Sequence, residues 1–302
     1  MDESDVWDVE EILKRILKTD MKAIADNKAH VEFLKSILQK RLEMGMEPPI
    51  TAVPILIRQL PEEIVPERFK SLKYEDFHDA VKWMFEDEEA RKHLEKALLH
   101  TTGATEYTHD NPYLEHLLNS AAFENMRILD IGTATGVYTK SLLEEVKNPI
   151  KSLVRTNLAE NIKITQHPWQ KDKIPDYREI KPFNIVTDVL PEKFDIVIFK
   201  DVSKFLHKEG LKRAMENIKK MTDHGSIVIY GGEIEASGHA RYVGFSDGKS
   251  AIRILVNHNG KLVEVDPERF IKEVAKVKSR EEYLQKLPSL IAKHKIRKRK
   301  PK

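Results

Sequence analysis

From residue 126 onwards, short apolar runs alternate with helical segments, and this alternation limits the possible folds more than any other feature. Strands that alternate with helices predict a parallel, doubly wound sheet, and apolar runs without period-two alternation are typical of burial on both faces. Helical spacing recurs over 138–146 and 208–221, whereas the Pro-bearing segment 167–178 is interpreted as a loop. The apolar runs are MRILDIG (126–132), FDIVIF (194–199), GSIVIYGG (225–232) and AIRILV (251–256), with a weaker run at 151–154.

The first hundred residues follow a different pattern. Apolar residues recur at helical spacing through most of them, and only 52–60 is ambiguous between a short helix and a strand. We therefore predict three parts along the chain. They are an all-helical N-terminal domain over 1–100, a Rossmann-like α/β domain with a mostly parallel sheet over 101–265, and a C-terminal helix with a basic tail over 266–302.

Composition excludes several classes of protein. Cysteine is absent from the 302 residues, which excludes disulfide scaffolds, iron–sulfur clusters and thiolate nucleophiles. The four histidines between residues 93 and 116 form no HExxH pattern, so no metal site is predicted. No apolar run approaches the ~18 residues of a membrane span, and the acidic start MDESDVWDVEE is unlike a signal peptide. We expect a cytoplasmic protein with no membrane partner, and the excess of Lys and Glu points to a thermophile.

Positive charge is concentrated at one end of the chain. The segment KHKIRKRKPK, Lys293–Lys302, holds seven of the 51 basic residues and no acid, which leaves 44 basic against 49 acidic residues elsewhere. The rest of the chain therefore offers no general attraction for nucleic acid, and only this tail does. Two interpretations stay open: a solvated terminus, or a contact for RNA phosphates.

One strand–turn–helix segment carries the clearest sign of a ligand. The sequence DIGTATG, residues 130–136, ends a strand in an acid, turns on Gly132 and enters a helix at Gly136. Glycine lets the backbone pass close to a ligand, and ligands of open α/β sheets lie beyond the carboxyl ends of the strands. The spacing is neither the dinucleotide GxGxxG nor the phosphate-binding GxxxxGKS/T. It resembles motif I of the class I S-adenosylmethionine (SAM) methyltransferases, which implies a SAM site containing Asp130, Gly132, Thr133 and Gly136.

Segments on both sides of this turn resemble one methyltransferase family. TTGATEYTHD (101–110) is similar to the TTNxTxFFRD/E segment of the CheR family, the chemotaxis-receptor glutamate methyltransferases. FDIVIFKDVSKFLH (194–207) is similar to that family's FDxIFCRNVLIYFD, and GSIVIYGGEIEASG (225–238) and FNIV (183–186) resemble two further segments. The resemblance covers residues 50–256 in the family's order. It implies a Rossmann-like class I methyltransferase domain, with SAM as cofactor, after a helical N-terminal domain.

The resemblance also assigns the family's cofactor positions to residues of this chain. Val137 stands where the family has an acid, and His109 where it has an arginine. Asn157 replaces the aspartate that ends the second strand, and it should bond the ribose hydroxyls more weakly than a carboxylate. Asp130 is expected to compensate in part for the missing acid. No residue is assigned a catalytic role. The cofactor-binding residues implied are Thr105, His109, Asn157, Asn184, Ile185, Lys200 and Asp201, of which only Thr105 and Asn184 keep the family's residue type.

Methyl transfer sets few further chemical demands. The methyl group passes from a sulfonium to its acceptor by in-line displacement, and alignment of donor and acceptor supplies most of the acceleration. A carboxylate acceptor is already ionised at neutral pH and needs no general base. By resemblance to the CheR family, we therefore expect a SAM-dependent methyltransferase that acts on a protein carboxylate or a related acceptor. Two alternatives stay open: an RNA methyltransferase that uses the basic tail, and a catalytically inactive binding protein built on the SAM fold.

Overall fold

The structure, a computed structural model, divides into two compact units, Met1–Ala104 and Thr105–Lys302. Each unit has its own hydrophobic core. None of the helices in the described residues is both long and apolar enough to cross a membrane. The residues that the structure describes are 8–19, 21–46, 48–49, 51–100, 112–134, 136–158, 174–200, 202–203, 206–231 and 252–296.

The described residues of the first unit form helices. Asp8 and Asn27 cap the first two helices, because their side chains accept hydrogen bonds from backbone N–H groups of the first turn. The segment that was ambiguous in sequence is helical over Val53–Arg58. The helices are α1 (Val9–Lys18), α2 (Lys28–Glu43), α3 (Val53–Arg58), α4 (Glu67–Lys70), α5 (Phe77–Glu86) and α6 (Glu88–His100), with 3-10 turns at Lys22–Ile24 and Tyr74–Asp76.

The second unit is built on a seven-stranded sheet. Its helices in the described residues are α7 (Pro112–Leu118), α8 (Val137–Glu144), α9 (Lys208–Lys220), α10 (Pro267–Val274) and α11 (Arg280–His294), with a 3-10 turn at Ala121–Phe123. Its strands are β1 (Met126–Ile131), β2 (Ile150–Thr156), β3 (Asp176–Ile180), β4 (Phe194–Lys200), β5 (Thr222–Gly231), β6 (Ile252–His258) and β7 (Lys261–Val265).

The order of the strands is β3-β2-β1-β4-β5-β6-β7. The first five strands in this order are parallel, and β6 is antiparallel to both of its neighbours. This confirms the predicted mostly parallel, doubly wound sheet, since the order 3-2-1-4-5 is that of Rossmann-like folds. The β6–β7 hairpin turns on Asn259 and Gly260, whose φ angles are 53° and 78°. Two left-handed residues are the requirement of a tight hairpin turn.

Strand β3 begins within the segment 167–178 that was interpreted from the sequence as a loop, so that interpretation was wrong for residues 176–178. Strand β3 has the sequence DYREI, and every residue of it is partly or fully exposed. Because β3 borders the sheet, it needs no apolar run, and the hydrophobic pattern therefore missed it.

The C-terminal helices belong to the same unit as the sheet. Phe270 of α10 and Tyr283 of α11 are fully buried in the core that also contains the strands, and the Tyr283 hydroxyl donates to the Gly225 carbonyl over 3.1 Å. Beyond α11, Lys295 forms a β-bridge with Val265 at the end of β7. Residues 266–296 therefore complete the sheet domain.

Candidate functional site

The candidate site lies where β1 and β4 end side by side. From β1 the chain continues to β2 on one side, and from β4 it continues to β5 on the other, so the strand order reverses between these two strands. Such a switch point leaves a crevice beyond the carboxyl ends of the strands, where ligands of doubly wound sheets bind. The predicted turn 130–136 begins at this point, and Asn157 and Lys200 stand at the ends of β2 and β4.

The turn after β1 has an unusual backbone. Gly132, Ala134 and Gly136 all have positive φ angles, of 68°, 51° and 85°. Gly136 is the N-cap of α8. Left-handed backbone favours glycine, so Ala134 adopts it at a cost that a glycine would avoid. Two of the three positions are therefore glycine for a conformational reason that requires no ligand.

Gly132 is also crowded by a neighbouring side chain. A Cβ at Gly132 would lie 2.5 Å from Cγ2 of Val202, which follows β4. From the sequence, a ligand was expected to need this space. In the structure the Val202 side chain occupies this space, so packing explains the glycine. Contact between Gly132 and a cofactor stays a prediction.

The backbone N–H groups of the turn have acceptors within the protein. Gly132 donates to Oγ1 of Thr156 over 3.3 Å, and Thr133 donates to the Thr156 carbonyl over 3.0 Å. Ala134 donates to Oδ1 of Asn157 over 2.9 Å, and Gly136 donates to the Thr133 carbonyl over 2.8 Å. Phosphate-binding turns direct their N–H groups at the ligand. The four N–H groups here are directed elsewhere, so the described turn is unlike a phosphate cradle.

Asn157 makes a two-point contact with this turn. Its Oδ1 accepts from the Ala134 N–H, and its Nδ2 donates to the Ala134 carbonyl, both over 2.9 Å. The residue is 3% exposed. Its backbone carbonyl accepts from Phe183, which brings the segment after β3 next to the end of β2. The predicted bond from Asn157 to ribose hydroxyls stays a prediction, and the structure assigns both ends of the amide to Ala134.

Asp130 is buried at the end of β1 and faces polar groups from two other elements. Its carboxyl accepts a hydrogen bond from the hydroxyl of Thr139 in α8. Burial raises the pKa of Asp130, and the positive charge of Arg155 acts in the opposite direction. The Thr133 hydroxyl is buried beside this carboxyl and also opposes the rise in its pKa.

The other predicted residues lie on two neighbouring segments. Lys200 ends β4 with its ammonium 4.4 Å from the ring centroid of Tyr138 in the first turn of α8. Asn184 closes a short turn by accepting from the Val186 N–H over 3.0 Å, and the side chain of Ile185 is buried. Thus Lys200 stands beside the glycine turn, and the segment of Asn184 lies next to Asn157 through Phe183. Thr105, His109 and Asp201 lie outside the described residues.

Four residues that shape this region were not predicted from the sequence. Thr139 and Arg155 flank Asp130, Thr156 accepts from the turn, and Val202 packs on Gly132. Arg155 is fully buried and lies 5.9 Å from the ring centroid of Tyr177 in β3. Arg155 and Thr156 follow the apolar residues of β2, and polar residues at the end of a buried strand are the signal that points to them.

The electrostatics of the site do not indicate a metal. Within the part of the chain that the structure describes, no group of three or more His, Asp or Glu side chains is placed to hold a metal ion. The described charges are a buried acid with a raised pKa, a buried guanidinium and the partly exposed Lys200. Such a site suits a ligand held by shape and by a few hydrogen bonds.

No protein family and no curated protein matches this chain by sequence. Among solved structures, it is similar to a SAM-dependent methyltransferase from Clostridium acetobutylicum ATCC 824, with 15% identity over 39% of this chain and 48% of the other, and a TM-score of 0.32. It is also similar to the N-methyltransferase NodS from Bradyrhizobium japonicum WM9 in complex with S-adenosylhomocysteine, with 21% identity, 40% and 63% coverage and a TM-score of 0.31. A TehB-like SAM-dependent methyltransferase from Corynebacterium glutamicum ATCC 13032 gives 21% identity, 41% and 64% coverage and a TM-score of 0.31. The chain covers less than two thirds of each of these proteins.

Proposed function

We propose that this chain is a SAM-dependent methyltransferase. The observation that carries the proposal is the turn 132–136 at the switch point of the sheet, whose four described N–H groups are bonded within the protein. A dinucleotide or nucleoside triphosphate needs N–H groups for its phosphates. A cofactor without phosphate does not, and SAM is such a cofactor. The resemblance of DIGTATG to motif I supports the same cofactor.

The residues present fit SAM at several points. Thr133 places a buried hydroxyl in the turn, and Lys200 supplies a positive charge at the end of β4 that suits the cofactor's carboxylate. The buried Asp130 fixes the entry to α8 through Thr139. When bound, SAM supplies a methyl group on a positively charged sulfur. The protein's task is then to hold the cofactor and the acceptor in line and to exclude water.

For the acceptor, we propose a protein carboxylate, as in the CheR family. Support comes from the four family-like segments in order and from the low chemical demand of an ionised acceptor. The acceptor is tested by incubating the protein with methyl-labelled SAM and fractionated cell extract, followed by mild alkali. Label released as methanol marks a carboxyl ester, and label that stays in protein or RNA refutes this acceptor.

The cofactor is tested separately, by calorimetric titration of SAM and S-adenosylhomocysteine into the protein. We expect both to bind. The matched variant is Lys200→Met, which keeps most of the length of the side chain and removes its charge, and we expect SAM affinity to fall about tenfold, as for the loss of one charged hydrogen bond. No heat of binding to the unchanged protein at millimolar SAM would refute the methyltransferase proposal.

A second candidate function is a non-catalytic protein that uses the SAM fold for binding. The observation that favours it is the engagement of Asn157 by Ala134, which occupies the amide that would bond a ribose. The two candidates differ in turnover. Binding of SAM without methyl transfer to any extract fraction supports the second candidate, and transfer supports the first.

The basic tail keeps an RNA methyltransferase open as a further candidate. Part of the tail is already engaged, because Lys293 pairs with Glu273 over 3.0 Å and His294 is buried. Phosphate contacts would therefore rest mainly on residues 297–302, which hold five cations. If so, RNA affinity should fall with salt at a log–log slope no steeper than about −5. Equal RNA affinity after deletion of 297–302 would refute this candidate.

A further inference from the structure

We propose that Asn157 is a positioning residue that holds the glycine turn in shape through Ala134, and that it is not a ligand of the cofactor's ribose. The inference rests on the proposed function only where it concerns the cofactor. Asn157 presents one acceptor and one donor, and Ala134 presents the matching N–H and carbonyl. The two bonds close a ring between a side-chain amide and one backbone residue, so each group has its complement.

The backbone of Ala134 is less stable by itself than that of the two glycines in the turn, so Ala134 depends more on a hydrogen-bonding partner. Its φ of 51° is left-handed, which is unfavourable for a residue with a Cβ, whereas Gly132 and Gly136 adopt positive φ freely. A turn with alanine at its centre therefore tends to leave this conformation unless something holds it. The Asn157 amide is suited to hold it because it is 3% exposed and is fixed by backbone bonds to Ile180 and Phe183.

The amide is also the group that this contact requires. An ionised carboxylate at residue 157 would accept from the Ala134 N–H, but it would place a second oxygen against the Ala134 carbonyl. A protonated carboxyl would restore the donor and reproduce both bonds. A ribose ligand has the opposite preference, because an ionised carboxylate accepts from two hydroxyl groups better than an amide does. The two roles therefore predict opposite effects for the same substitution.

The first experiment measures the stability of Asn157→Asp against pH. The introduced acid is buried beside a carbonyl, so its folded-state pKa should be raised, and the folding equilibrium constant should match that of the unchanged protein only below pH ~4. As pH rises through the raised pKa, the constant should fall about ten- to a hundredfold. The charged residues near the carboxyl ends of β1, β2 and β3 are Asp130, Arg155 and Glu179, and Glu179 pairs with Lys181 over 3.3 Å. Acidic neighbours raise this pKa and basic neighbours lower it, but none of them restores the lost donor.

The matched control is Asn257→Asp in β6, on the other side of the sheet from β2. Asn257 is also buried, with Nδ2 donating to Oγ1 of Thr222 and Oδ1 accepting from the Gly260 N–H, both over 2.9 Å. It should lose stability with pH in the same way and bind SAM as the unchanged protein does. Because the two variants lose similar stability, a difference between their SAM affinities reports the effect of the turn on SAM binding.

The second experiment measures SAM affinity by calorimetry at pH 7.5, under conditions in which each variant is folded. We expect Asn157→Asp to bind SAM at least tenfold more weakly. Tighter binding, with stability independent of pH, would overturn the inference and make Asn157 a ribose ligand. If the unchanged protein binds no SAM, the proposed function fails, and the coupling between Asn157 and Ala134, measured with the variants below, decides the positioning role.

A further pair of variants covers the case in which Asn157→Asp does not fold. Asn157→Ala removes the ring of bonds, and Ala134→Gly removes the conformational cost that the ring opposes. Ala134→Gly should therefore gain more stability in the Asn157→Ala variant than it gains in the unchanged protein. If the two effects are additive, Asn157 does not act through Ala134 and the inference is wrong.

Discussion

Replacing Gly132 by alanine should destabilise the sheet-bearing unit in two separable ways. The left-handed φ of 68° should cost an alanine about 1–2 kcal/mol. The new Cβ would lie 2.5 Å from Cγ2 of Val202, and such overpacking costs about 1–3 kcal/mol. The free energy of unfolding should therefore fall by about 2–5 kcal/mol in total.

Two further variants separate these contributions. Gly260→Ala has a similar φ of 78° but nothing within 4 Å of its Cβ, so it should show the backbone cost alone. Val202→Ala should cost about 1 kcal/mol, because a partly buried side chain loses two methyl groups. When Val202→Ala is combined with Gly132→Ala, the overpacking disappears. The pair should therefore be less destabilised than the sum of the single variants by about 1–3 kcal/mol.

The assay is scanning calorimetry of the whole chain. The transition of the sheet-bearing unit is recognised with Leu34→Ala, which removes a buried side chain from the core of the other unit. Additive effects of Gly132→Ala and Val202→Ala would refute the role given to this contact. A loss of stability in Gly132→Ala no larger than that in Gly260→Ala would also refute the role of this contact. Contact with a ligand would then be the explanation for glycine at residue 132.

Three further predictions concern the same turn and the acid before it. Ala134→Gly should raise the free energy of unfolding by about 1 kcal/mol in urea titrations, since glycine adopts a φ of 51° without strain; a loss of stability would contradict this. Thr139→Val removes the donor to the Asp130 carboxyl and should lower the same free energy by about 1.5–3 kcal/mol, with an unchanged value as the refuting result. Burial raises the folded-state pKa of Asp130, so its stabilising effect is complete below the unfolded pKa of ~3.9 and is lost as pH rises through the folded pKa. Asp130→Asn cannot ionise, so its stability relative to the unchanged protein should increase from pH 4 towards neutrality, and a decrease over that range would show that Arg155 outweighs burial.

Most of the sheet could be predicted because its central strands are buried on both faces. The runs that became β1, β4, β5 and β6 are apolar almost throughout, and the hairpin before β7 carries the turn pair Asn259-Gly260. Strand β3 could not be predicted in this way, because a half-exposed strand at the border of the sheet has no continuous apolar run. The antiparallel direction of β6 also leaves no mark on hydrophobic periodicity, which is the same for both directions.

The turn of the candidate site could be predicted from the sequence, but its contacts could not. DIGTATG marks the turn, because a glycine-bearing turn after a buried strand is a local pattern. The partner of Gly132 is Val202, and the partner of Ala134 is Asn157; both lie far away along the chain and meet the turn only because β2 and β4 flank β1. Contacts of this kind follow from the order of the strands, and spacing within one segment carries no information about them.

The bridge between Lys295 and Val265 bears on how the basic tail can be studied. Strand β7 borders the described sheet, and the free peptide groups of a border strand can recruit a strand of another molecule. Residues 295 and 296 shield the end of β7, because the Ile296 N–H also donates to the Glu264 carbonyl over 3.1 Å. Truncation before Lys293 would remove this shield together with the charge, and the product should self-associate in light scattering. Truncation before residue 297 keeps the shield and removes five of the seven cations. Only the shorter truncation therefore separates loss of charge from exposure of a strand that other molecules can extend.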